Sequence, residues 1–199
     1  MQHIAHLSKD KKLKKLIDTQ PAYSLEIRDK VYLRLCSSIL SQQLSTRVSK
    51  VLYQRFLDLY HGKEPTVKEI LETPADTFRI IGFSNAKASY VHNVCRFFMD
   101  NNITDEGLYK MSNEEVLELL TQIKGVGKWT VEMILMFTLG REDVFAFDDL
   151  GLKQSVTELY KIKETDKKSV LKKMETISLK WSPYRTYACR YLWNWKDRK

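Results

Sequence analysis

Apolar residues recur along most of this chain three or four positions apart, the spacing that gathers them on one face of an α-helix. Val31, Leu35 and Ile39 follow it within residues 25–40, and Val48, Leu52 and Phe56 repeat it. Between the two sets, the polar stretch Ser41-Gln-Gln-Leu-Ser45 breaks the pattern and predicts a turn. Thr66-Val-Lys-Glu69 and Ser112-Asn-Glu-Glu115 match the capping box, so each should open a short amphipathic helix. Thr73-Pro74 and Ser182-Pro183 put a capping side chain before a proline at the first helical position. Ser84 is placed to cap a helix over 85–100, and Gly140 to end one over 128–139. No alternating strand of convincing length, no low-complexity linker and no internal repeat interrupts the series. The pattern predicts an all-α protein of eight to ten helices.

Composition narrows the classes. The 199 residues suit one compact unit or two small lobes. Only 7 Gly and 4 Pro are present, too few for a turn-rich sandwich or barrel. Charged residues make up 29%, and no window approaches about 20 consecutive apolar residues, so no membrane span is expected. The N-terminal stretch lacks an apolar run behind its lysines, which speaks against a secretory leader. Cys36, Cys95 and Cys189 are odd in number and widely spaced. They suit neither a disulfide framework, a zinc ribbon nor a four-cysteine iron–sulfur cluster, and they predict a reducing, cytoplasmic compartment.

The net charge of +8 is concentrated in residues 1–15, 161–173 and 181–199, which together carry +12 and leave −4 for the rest. Excess charge gathered this way suits contact with a polyanion through one face. The same lysines also fit an ordinary solvated helix surface.

The most informative local feature is Leu119-Leu-Thr-Gln-Ile-Lys-Gly-Val-Gly-Lys-Trp-Thr130. Two glycines flank one apolar residue between an amphipathic helix and a second, apolar helix. Glycine permits a sharp turn that leaves backbone N–H groups pointing outward. With the N-terminus of the helix beginning near Lys128, those donors form a phosphate site. Ile123 and Val126 should anchor the hairpin, with Lys124 and Lys128 adding charge beside it. Downstream, Asp148-Asp149 sits in an apolar run just before a helix. Adjacent carboxylates there serve either as a helix cap or as a charge held near a reacting centre.

Hairpin, acidic pair and the spacing between them resemble the helix–hairpin–helix DNA glycosylase superfamily. Within it the chain looks like a DNA-3-methyladenine glycosylase II of the alkylation-repair branch, from about residue 30 to 196. The pieces carrying the resemblance are Ile39–Ser45, Ile81–Ala88, the hairpin through Thr130, Asp143–Gln154, and Trp181–Ala188 with Trp193. The resemblance implies a two-lobed helical fold forming one glycosylase unit, with the active-site cleft between the lobes and without an extra N-terminal β-domain. It implies a monomer that acts on duplex DNA carrying alkylated bases.

The same resemblance assigns the site residue by residue. The catalytic aspartate falls on Asp149, leaving Asp148 to cap the helix or orient the loop. Gly125, Val126, Gly127 and Thr130 fall where DNA backbone is gripped, and the charges of Lys124 and Lys128 lie beside them for the same contact. Trp129 and Trp193 fall on aromatic positions of the base pocket, with Phe147, Tyr187 and Met133 as further candidates. Gln43 or Leu44 would fill the space left by the flipped base. No cofactor is required. A sodium or potassium ion on the carbonyls of Thr121, Ile123 and Val126 is the only metal implied. Bifunctional relatives carry a nucleophilic lysine where this chain has Trp129, which speaks against a β-lyase step. Two other readings follow from the same residues: a glycosylase for oxidised or mismatched bases, and a non-catalytic DNA-binding module.

Overall fold

The computed structural model describes residues 1–198, and Thr46 through its backbone alone. Its helices in chain order are α1 (Gln2–Leu7), α2 (Lys11–Ile17), α3 (Val31–Ser41), α4 (Thr46–Asp58), α5 (Val67–Glu72), α6 (Ala75–Ile80) and α7 (Asn85–Asp100). They continue with α8 (Asp105–Lys110), α9 (Asn113–Leu120), α10 (Lys128–Phe137), α11 (Leu150–Tyr160), α12 (Lys167–Ser178) and α13 (Arg185–Asp197). A 3₁₀ turn over Leu179–Trp181 precedes α13. Thirteen α-helices among the described residues exceed the eight to ten expected. The excess includes six-residue pieces such as α1 and α8, which are too short for apolar spacing to reveal. None of these helices is long and apolar enough to cross a membrane.

Both capping boxes form, at Thr66–Glu69 and Ser112–Glu115, and Ser84 caps α7 through the Lys87 N–H. Neither proline signal works as expected. Thr73 ends α5, its hydroxyl donating to Glu69 O (2.8 Å), and Pro74 itself occupies the cap position of α6. The two helices lie so close in sequence that the earlier one claims the threonine. Ser182 is likewise taken elsewhere: its hydroxyl donates to Asp143 Oδ2 (2.8 Å), the Ser182–Pro183 bond is cis, and α13 starts only at Arg185.

The chain divides into two compact units. Residues 28–134 form one, built around α7, which packs against α3, α5 and α6. Val31, Leu35 and Ile39 are fully buried as their spacing predicts, whereas Val48 of the second set is 49% exposed and only Leu52 and Phe56 turn inward. Phe78 and Phe83 stack at 5.3 Å with Phe56 beside them. Burying side chains of this size stabilises the unit by about 1.5–3 kcal/mol each.

The other unit comprises residues 1–27 and 135–199. Its α13 packs on α11 and α2 around fully buried Trp181, Tyr191 and Leu13. Asp10 caps α2 and also accepts hydrogen bonds from the Tyr160 hydroxyl and the Trp181 Nε1–H. Arg185 clamps Asp143 with two donors, Nε to Oδ1 (2.6 Å) and Nη2 to Oδ2 (3.0 Å). Burial alone would raise the pKa of Asp143, but hydrogen bonds from Arg185 and Ser182 outweigh it and hold the carboxyl below its ordinary value. A depressed folded pKa contributes stability that is present above the ordinary carboxylate range and lost as pH falls through the folded value. Melting curves should therefore show the wild type losing stability below about pH 4. Asp143→Asn should be less stable at neutral pH and show a shallower acid limb.

Candidate active site

The capped helix α9 leads into the hairpin, which Ile123 and Val126 anchor at 2% and 5% exposure. Gly125 has φ +105°, and a Cβ there would lie 2.3 Å from Cγ of Tyr90, so both its dihedral and its packing demand glycine. Gly127 is different: its φ is unexceptional, and nothing lies within 4 Å of a Cβ built on it. Its carbonyl accepts the Val131 N–H (3.2 Å) as α10 begins. The first turn of that helix directs N–H groups along its axis and out past its N-terminal end, as any helix N-terminus does. Lys124 and Lys128 are exposed, and Lys128 Nζ lies 3.9 Å from Oε1 of Glu132.

Thr130 departs from expectation. It is 3% exposed, on the core side of α10, so its side chain does not face outward with Lys124 and Lys128. Gln43 and Leu44 occupy the turn between α3 and α4 as predicted, both exposed, with Gln43 at φ +59°. Trp129 and Met133 stand one turn apart on α10, and Trp129 is 41% exposed despite its size.

In the other unit the backbone approaches α11 through Asp149, whose φ of −69° and ψ of 121° mark the residue before a helix. Its Oδ1 accepts the Leu152 N–H (2.8 Å) and also the Trp193 Nε1–H (2.9 Å). The helix cap is therefore Asp149 and not Asp148, which is exposed. The helix starts one residue later than the capping role assigned to Asp148 requires. Cap and indole donor together fix the carboxylate from two directions. Gly151 completes the arrangement, since a Cβ there would sit 3.1 Å from Asp149 Oδ1 and 3.3 Å from Trp193 Cδ1. Ser155 ties the two helices together by approaching both Gly151 O (2.8 Å) and Leu192 O (3.2 Å).

The aromatic candidates separate. Trp193 joins Asp149 and lies 5.8 Å from the ring of Phe137. Tyr187 is six positions earlier on α13, on a different face. It is buried, stacks on His3 at 3.9 Å and donates to Glu142 Oε1 (2.8 Å). Phe147 packs on Phe145 and lines a cavity of about 280 Å³ with Asp148, Leu150 and Lys153, rather than facing Trp193. Neither Tyr187 nor Phe147 joins the Asp149–Trp193 pair. Phe137 and Gly151, which the sequence reading does not single out, pack against the Asp149–Trp193 pair. A glycine in the first turn of α11, where helix propensity disfavours it, was the available signal for the second.

The model of the HhH-GPD superfamily base excision DNA repair protein matches residues 36–179. Over 195 residues the chain is 34% identical to DNA-3-methyladenine glycosylase 1 of Schizosaccharomyces pombe, covering 96% of this chain and 84% of that protein. The solved S. pombe 3-methyladenine DNA glycosylase, in complex with abasic DNA, superposes with a TM-score of 0.81 at 34% identity, covering 97% of this chain and 95% of the other. A DNA-3-methyladenine glycosidase from Bacillus halodurans superposes at 0.83 with 32% identity, covering 96% and 87%. This chain belongs to the HhH-GPD superfamily of base excision DNA repair proteins.

Proposed function

We propose that the chain hydrolyses the N-glycosidic bond of alkylated purines in duplex DNA, of the 3-methyladenine and 7-methylguanine type, and leaves an abasic site. The carrying observation is the Asp149 carboxylate, fixed by the Leu152 N–H and the Trp193 Nε1–H within a chain of this family. The S. pombe relative is named for this activity, and its structure holds abasic DNA, the product such a reaction leaves.

A glycosylase must first take the base out of the stack. Gln43 or Leu44 fills the gap, and the hairpin from Lys124 to Lys128, with the Thr130 N–H, holds the backbone. Trp129 and Met133 on α10 offer one apolar surface to the extruded base, and Trp193 beside Asp149 offers another. An N-alkylated purine is cationic, so an indole face attracts it by about 0.5–2 kcal/mol. Its charge also weakens the bond to C1′. That bond breaks with its electron pair passing to the base, which leaves neutral and needs no proton from a general acid. Asp149 opposes the positive charge growing on the sugar and accepts the proton of the water that bonds to C1′.

The carbonyls of Thr121, Ile123 and Val126 are neutral, hard oxygens of the kind that sodium or potassium prefers. The Ile123 carbonyl already accepts the Val126 N–H (3.0 Å) and keeps a second lone pair for such an ion. A cation there would supply only positive charge beside a phosphate. None of the three cysteines is in a disulfide and all three are buried, in keeping with a reducing, cytoplasmic setting.

The strand should remain uncut, because Trp129 offers no amine. The test presents the protein with two duplexes, one carrying 7-methylguanine and the other 8-oxoguanine, with borohydride added to half of each reaction. We expect release of 7-methylguanine alone and no covalent adduct. Preferred release of 8-oxoguanine would overturn the substrate class, and efficient trapping would overturn the monofunctional chemistry.

A further inference from the structure

The Ile81–Ala88 motif carries a lysine to which the reaction above gives no part. Lys87 lies on α7, and its Nζ donates to two backbone carbonyls, Leu40 O (2.8 Å) and Gln42 O (3.0 Å). These carbonyls belong to the end of α3 and the residue just after it. A helix C-terminus leaves carbonyls without partners inside the helix and holds the negative end of its dipole. An ammonium group answers both needs. Burial lowers the Lys87 pKa from its ordinary value.

The clamped segment is the turn that carries Gln43 and Leu44. Its backbone closes through Gln42 N–H to Ile39 O (3.3 Å) and Leu44 N–H to Ser41 O (3.1 Å). Between them Gln43 has φ +59°, a conformation a non-glycine residue keeps only where its surroundings hold it. The same side of α7 also holds the hairpin. The ring of Tyr90 lies under Gly125, and the Asn93 amide donates to Lys124 O (3.2 Å). Residues 87, 90 and 93 fall within about 120° of arc and span roughly 9 Å of helix axis. One helix thus touches both elements that the proposed function assigns to the duplex.

We propose that Lys87 is a positioning residue for strand opening: it clamps the Leu40 and Gln42 carbonyls so that Gln43 and Leu44 keep the shape that enters the duplex. Helix α7 sets that turn in register with the backbone-gripping hairpin. This inference rests on the proposed function for its duplex substrate.

The test compares wild type with Lys87→Met, which keeps the stem and removes the donors, and Lys87→Arg, which keeps charge and donors. Lys87→Gln, with a neutral donor, stands in if Lys87→Met melts below the assay temperature. The first readout needs no excision: a duplex with a tetrahydrofuran abasic-site analogue opposite 2-aminopurine, whose fluorescence rises when the base unstacks. Wild type and Lys87→Arg should raise the signal on binding, and Lys87→Met should raise it by less than half as much at saturation. The second readout is single-turnover release of 7-methylguanine. Lys87→Met should slow release from a paired duplex about tenfold, the scale of a lost charge-assisted hydrogen bond. The same lesion opposite an abasic gap, where little opening is needed, should slow by less than about twofold. Equal slowing on both duplexes, or an unchanged fluorescence rise, would overturn the proposal. A wild type that releases no 7-methylguanine would instead contradict the proposed function, and the fluorescence comparison would still decide the role of Lys87.

Discussion

Asp149→Asn should lower single-turnover release of 7-methylguanine by about 10²–10⁴-fold while leaving the fold intact, the range that loss of a preorganised charge or a general base produces. The structure makes this variant unusually clean. Asparagine caps helices as well as aspartate does. Its side-chain oxygen can also accept the Leu152 N–H and the Trp193 Nε1–H that Asp149 Oδ1 accepts now. What disappears is the negative charge, and with it the field opposing the cationic sugar and the site that takes the proton from water. Affinity for an abasic-site mimic should hold or rise, since a carboxylate no longer repels phosphate. Asp148→Asn is the internal control. Asp148 is exposed and does not cap α11, so excision by that variant should stay within about twofold of wild type. Reversal of the two outcomes would move the chemistry by one residue and break the assignment.

The hairpin glycines give the second large effect, because they are glycine for different reasons. Gly125→Ala forces a side chain into φ +105° and drives its Cβ to 2.3 Å from the Tyr90 ring. Strain and overlap together should cost about 2–4 kcal/mol of stability and displace the hairpin, so DNA affinity falls along with the melting temperature. At Gly127 the protein itself leaves room, with nothing within 4 Å of the added Cβ. Gly127→Ala should therefore change stability by no more than about 1 kcal/mol, the scale of a helix N-cap substitution. If Gly127 is small so that DNA backbone can approach, affinity for an abasic-site duplex should still fall about tenfold, equal to 1.4 kcal/mol. Unchanged affinity in a stable Gly127→Ala protein would remove this stretch from the DNA interface.

Much of the fold was legible because it is encoded locally. Ser84, Thr66 and Ser112 act on N–H groups three residues away, so a short window contains both partners. The hairpin was equally readable: two apolar anchors around glycine need no distant information, and Ile123 and Val126 are buried as expected. Failures occurred where a side chain had a competing partner. Thr73 is claimed by the preceding helix, and Ser182 by Asp143, 39 positions away. An aromatic residue carries no mark of which helix face it occupies, so sequence alone does not separate Tyr187 from a pocket residue. Its actual partners, His3 and Glu142, come from distant stretches of sequence. Lys87 stayed silent for the same reason, since the carbonyls it holds are 47 and 45 positions away. The choice between Asp148 and Asp149 came from the family resemblance and not from the residues, because two adjacent aspartates before a helix are equally good caps on sequence alone. The structure gives the cap to the residue that the resemblance reserves for catalysis, so under the proposed function one carboxylate would carry both tasks.

The most direct measurement of the central claim is product analysis on methylated duplex DNA incubated with the wild-type protein. Chromatography follows the released bases, and strand integrity is read before and after mild alkali. The account predicts free 3-methyladenine or 7-methylguanine, strands that remain intact after the enzyme alone, and breaks that appear only when alkali cleaves the abasic sites. Intact methylated DNA with no free base would contradict it, and so would breaks that form during the enzymatic step.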